Sequence, residues 1–140
     1  MIDQVTVFLE NETGRLASLC RTLGEAGISM QALTIADTAD YGVVRIIADN
    51  PQKALETLQN AGFRASLTPV FAVSIPDHAG GLARLLDAFD AAAINLEYAY
   101  CFSSIDGNAV DVLRIENNAA APDIITAAGF RLLEQHELHV

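Results

Sequence analysis

The chain has 140 residues, 51% of them hydrophobic, and a net charge of −10 with only 8 Lys and Arg. Binding a phosphate backbone needs clustered basic side chains, so no nucleic-acid partner is expected. No apolar run is long enough to span a bilayer, and Asp3 and Glu10 interrupt the N-terminal stretch where a secretory leader would be apolar, so no membrane partner and a cytoplasmic location are expected.

In chain order, Val5, Val7 and Leu9 alternate with other residues, which predicts a half-buried strand ending at Glu10. From Gly14 the period changes to that of a helix, with Leu16, Leu19, Cys20 and Leu23 on one stripe and a stop near Gly27. Ile28 to Ala36 reads as a second strand whose Met30 and Leu33 are out of phase, predicting a bulge near Gln31 and Ala32. A turn over 37–42 leads to a third strand from Val43 to Ala48. Asn50-Pro51 then starts a helix with an inward face of Ala54, Leu58 and Ala61, Gly62 closes it, and a fourth strand covers Phe63 to Thr68 before Pro69 punctuates.

The order then repeats. Leu9 to Met30 returns as Ile75 to Leu96: Asn11 matches Asp77, Gly14 matches Gly80, Leu16 matches Leu82 and Ile28 matches Ile94, all at one offset (77 − 11 = 66). The second helix stripe is Leu82, Leu85, Leu86 and Phe89, and Ile94, Leu96, Tyr98, Tyr100 and Phe102 alternate as the next strand. Asp106-Gly107 supplies a turn before a strand over Val112 to Ile115, and Ile124, Ile125 and Ala128 mark a last helix. A period this long exceeds that of solenoid repeats, so each copy reads as a small domain, 1–68 and 69–140. The fold class expected is α+β: two ferredoxin-like βαββαβ units packed side by side with antiparallel sheets.

Both copies place a short polar loop and a glycine between strand and helix. The first turn of a helix offers amides without intrahelical partners and the positive end of the macrodipole, which suits a carboxylate, while Asn11 or Asp77 could accept from an α-ammonium group. The same residues are ordinary N-cap types, so capping explains them as well. Arg15, replaced by Gly81 in the second copy, reads as a solvated side chain. His78 has no partner at metal-ligand spacing, and the stretch His136 to His139 lacks the spacing of a helical zinc motif and reads as a solvated end. Cys20 and Cys101 lack metal spacing and are expected as buried thiols. No catalytic residue, metal ligand or cofactor is expected.

The stretch VTVFLENETGRLASLCRTLGEAGISMQALTI resembles the ACT domain family, through its first strand, the Asn11-x-x-Gly14-x-Leu16 loop and Gly27-Ile28-Ser29 before the second strand. The second copy resembles it through Asp77-x-x-Gly80-x-Leu82 and Ala93-Ile94-Asn95, so the resemblance covers the whole chain. It implies a non-catalytic regulatory protein, a homodimer, that binds a free amino acid or similar metabolite at interfaces between ACT units. The ligand-binding residues it implies are Asn11, Glu12, Thr13, Gly14, Arg15 and Leu16 with Ser29, Met30 and Gln31, and Asp77, His78, Ala79, Gly80, Gly81 and Leu82 with Asn95 and Leu96. Many loops of the family carry Pro where this chain has Thr13 and Ala79. The regulated enzyme would be a separate protein. The first loop is also similar to the regulatory subunit of acetohydroxyacid synthase, an alternative that the repeated second loop counts against. A small enzyme on the same scaffold is a further reading, and no convergent set of titrating groups supports it.

Overall fold

The computed structural model describes residues 1–37, 40–115 and 119–138. It contains two compact units, residues 3–68 and residues 69–138, with Met1 and Ile2 belonging to the second.

The first unit runs β1 (Ile2–Glu10), α1 (Arg15–Glu25), β2 (Met30–Asp37), β3 (Tyr41–Ala48), α2 (Pro51–Asn60) and the opening residues of β4 (Arg64–Pro76). β1 pairs antiparallel with β3, with Val7 opposite Val44 and Leu9 opposite Gly42, and β2 flanks β3. β4 begins beside β1, where the hydroxyls of Thr6 and Thr68 lie 2.7 Å apart. Alternation along β1 and β3 sends Val5, Val7, Val44 and Ile46 to one face, and Leu19, Leu23, Ala54 and Leu58 of the helices close over them as one buried cluster. Each buried Val, Leu or Ile side chain contributes about 1.5–3 kcal/mol, which is what holds the amphipathic helices to the sheet. The bulge predicted near Gln31 is present, as a register shift between Met30 and Ala32. Asn50 caps α2 by accepting from the Lys53 amide at 3.1 Å, with Pro51 in the first turn, as the sequence predicts.

The second unit repeats the pattern with the rest of β4, α3 (Gly81–Ala91), β5 (Tyr98–Ile105), β6 (Asn108–Arg114), α4 (Ala121–Ala127) and β7 (Arg131–Leu133), followed by a 3-10 turn over Gln135–Leu138. β4 pairs with β6 and β7, and β5 flanks β6, all antiparallel. Its core joins Phe71, Val73 and Ile75 to Leu85, Phe89, Leu113, Ile125 and Phe130. The fold class is therefore α+β with antiparallel βαββαβ units.

Four expectations are corrected. β4 continues through Pro69, because the φ of proline is compatible with extended chain and only its amide is missing; its carbonyl accepts from Arg114 Nη1 at 2.9 Å. The clean alternation from Ile94 to Phe102 is broken, since β5 starts at Tyr98 and slips register between Cys101 and Ser103. Cys101 is exposed on this flanking strand, while Cys20 is half-buried. The C-terminal segment is anchored: Leu138 is completely buried, and Glu137 pairs with Arg131 and accepts from the Glu134 amide at 2.8 Å. His139 lies outside the described residues.

Candidate functional site

The loops that follow β1 and precede α3 are one arrangement built twice. In the first, the amides of Asn11, Glu12, Arg15 and Ser18 donate to the carbonyls of Asp40, Glu10, Glu12 and Gly14 at 3.2, 2.8, 3.3 and 3.0 Å. In the second, the amides of Asp77, His78, Gly81 and Arg84 donate to Gly107, Pro76, His78 and Gly80 at 3.1, 2.9, 3.1 and 3.1 Å. Every bond in one set has its counterpart in the other.

Both helices are entered through a glycine in the left-handed region, Gly14 with φ 87° and Gly80 with φ 85°, and neither has a side-chain cap. The capping explanation of Asn11, Thr13 and Asp77 is thereby overturned: the helix start is displaced past them to the glycine, and their side chains are left exposed in the loop. The amides of Leu16 and Ala17, and of Leu82 and Ala83, have no hydrogen-bond acceptor among the described residues. Each helix start thus presents unsatisfied donors at the positive end of its dipole, an arrangement able to receive a carboxylate.

The surroundings differ. In the first unit Leu9, Glu10, Asn11, Glu12, Leu16, Ile35 and Gly42 line a depression of about 140 Å³. Leu9, Glu10, Ile35 and Gly42 are not among the sequence-predicted site residues; Leu9 and Glu10 adjoin the loop along the chain, and the strand register, with Leu9 opposite Gly42 and Ile35 opposite Val44, brings the other two to it. Arg15 is half-buried rather than solvated, with its guanidinium 4.9 Å from the centre of the Phe63 ring. The second unit makes the same kind of contact from another position, Arg84 lying 4.6 Å from the Phe130 ring centre. Gly81, in the place of Arg15, is buried, and a Cβ there would stand 2.5 Å from the Pro76 carbonyl oxygen. His78 is exposed, and its Nδ1–H donates to the Ala79 carbonyl at 3.1 Å.

The remaining candidates lie elsewhere. Ser29 precedes β2, where its amide donates to Asp49 Oδ1 at 3.2 Å, and Met30 pairs with Ala48 while Asp37 pairs with Gly42 beside the loop. Seven strand residues, roughly 20 Å, therefore separate Ser29, Met30 and Gln31 from Asn11–Leu16 within their own unit. Asn95 and Leu96 stand likewise before β5, at the end of the sheet away from Asp77–Leu82. A single unit does not bring the two groups together. A larger cleft of about 620 Å³ in the second unit is bounded by Phe71, Arg114, Ile115 and Pro122 and includes no loop residue. No group of three His, Cys, Asp or Glu among the described residues is placed to hold a metal, and no helix is long and apolar enough to cross a membrane.

A family model described as an ACT domain pair matches residues 1–140. Among solved structures, protein BT0572 from Bacteroides thetaiotaomicron is 32% identical with a TM-score of 0.92, over 98% of this chain and 94% of that one. The regulatory subunit of aspartate kinase from Thermus thermophilus is 20% identical with a TM-score of 0.64, over 91% and 92%. Its counterpart from Thermus flavus is 20% identical with a TM-score of 0.60, over 90% and 91%. Curated proteins yield no match.

Proposed function

The chain belongs to the ACT domain pair family, and from that premise we propose that it is a non-catalytic regulatory protein that binds a free amino acid or similar small metabolite through the loops Asn11–Leu16 and Asp77–Leu82. The observation that carries this reading is the pair of uncapped helix starts, each with two donor amides that have no acceptor among the described residues. A ligand carboxylate would take those amides, and Asn11 or Asp77 would accept from the ammonium group. Since Ser29–Gln31 and Asn95–Leu96 stand at the far ends of their own sheets, the other half of each site would come from a facing ACT unit in a homodimer. The loops carry different charge, Asn11 and Arg15 in one against Asp77 and Gly81 in the other, so the two sites would differ in affinity. A thermal-shift screen across the common amino acids tests the reading, because a ligand that binds only the native state raises the melting temperature. A shift from one or a few of them is expected; no shift from any would contradict it.

The second reading is that the bound state is delivered to a separate enzyme. The regulatory subunits of aspartate kinase share this fold, although identity of 20% speaks for the fold alone. Acetohydroxyacid synthase, suggested by the first loop, is the other partner to test. Co-purification with a synthase or kinase subunit, and loss of its feedback inhibition on removing this chain, would support this reading. Purification of the chain alone with full feedback intact in its absence would sink it.

A further inference from the structure

The two units differ at three adjoining positions on the side of the sheet that faces the helices. In the first, Leu33 lies opposite Ile46 and Ile35 opposite Val44. In the second, Ala99 lies opposite Leu113 and Cys101 opposite Asp111, so a methyl, a thiol and a carboxylate stand where the first unit has three aliphatic side chains. The helix above registers the loss. Leu16 and Cys20 of α1 pack on the core of the first unit together with Leu33. Their counterparts on α3, Leu82 and Leu86, remain 41% and 37% exposed. On the sheet, between Val73 and Cys101, Asp111 is only 6% exposed, and its Oδ1 has no hydrogen-bond partner. A buried carboxylate oxygen without a donor is unfavourable and is rarely retained without a partner.

We propose that the space between α3 and β5 is a binding slot for a primary ammonium group carried on a slender aliphatic chain. The chain would lie between Leu82 and Leu86 on one side and Ala99 and Cys101 on the other, and the ammonium would supply the donor that Oδ1 of Asp111 lacks. The first unit has no carboxylate at this place: Val44 stands where the second unit has Asp111, with Leu33 and Ile35 in place of Ala99 and Cys101. The proposal goes beyond the loop reading and does not depend on it: the loops answer to a carboxylate, the slot to an amine.

The test is a titration of the full chain with n-pentylamine at neutral pH, followed by methyl NMR, with 1-pentanol as the uncharged probe of equal length. Saturable shifts at Leu82, Leu86 and Ala99 are expected with pentylammonium, and binding at least tenfold weaker with pentanol. Asp111→Val, which installs the residue of the first unit, and Asp111→Asn, which keeps the shape, should each lose the response while retaining native spectral dispersion. No saturable response to pentylammonium, equal binding of pentanol, or unchanged binding in both variants would overturn the proposal. A flat amino-acid screen with a positive pentylammonium titration would remove the loop reading and leave the slot; the reverse result would remove the slot alone.

Discussion

A Cβ at Gly81 would stand 2.5 Å from the carbonyl oxygen of Pro76, while Arg15, at the equivalent place in the first unit, carries a full side chain over Phe63. The second loop is thus drawn closer to its strand, and the difference between the loops lies in the backbone as well as in the side chains. Gly81→Ala should gain at most about 1 kcal/mol of helix propensity and lose about 1–3 kcal/mol to the clash with a backbone atom that cannot swing away. Thermal unfolding should show a lower melting temperature; a rise would mean that the helix start relaxes freely.

Capping separates Asn50 from Asn11. The Asn50 side chain accepts from the Lys53 amide, so Asn50→Ala should cost about 1 kcal/mol. Asn11 caps nothing, and Asn11→Ala should change stability by less than about 0.5 kcal/mol. Urea unfolding of both variants checks the contrast, and equal losses would restore the capping explanation.

Arg15 over Phe63 is a packing contact with a buried Nε. Arg15→Ala should destabilise by about 0.5–1 kcal/mol, and a double-mutant cycle with Phe63→Leu should show coupling of similar size. Zero coupling would return Arg15 to the role of a solvated side chain.

Leu138 is completely buried in the turn that follows β7. Leu138→Ala should cost about 2–5 kcal/mol, measured by denaturant unfolding. A neutral result would mean that the tail is dispensable.

The elements that were legible in the sequence are those governed by local rules. The stripe of α1, the cap at Asn50 and the bulge after Met30 each depend on neighbours a few residues away; in the α3 stripe Leu85 and Phe89 are buried as expected, whereas Leu82 and Leu86 are exposed. What was hidden depends on long-range pairing. Leu9 meets Gly42, and Ile35 reaches the first loop, only through register across β1, β3 and β2. Leu138 lies in a short 3-10 turn with no periodicity to announce its burial. Asn11 and Asp77 look like caps because residue type is all that a sequence shows; the left-handed glycines that displace the helix start are seen only in three dimensions. Cys101 resembles a core position by alternation, yet β5 flanks the sheet and the thiol is exposed.

The central claim is that the uncapped helix starts receive an amino acid, and calorimetric titration of the wild type and the Asn11→Ala/Asp77→Ala double variant tests it most directly. The wild type should bind at least one common amino acid with a dissociation constant of about 1 mM or tighter, and the variant should keep its melting temperature while losing at least roughly tenfold in affinity, or about 1.4 kcal/mol. Absence of binding by every amino acid to the wild type, or undiminished affinity in the variant, would contradict it.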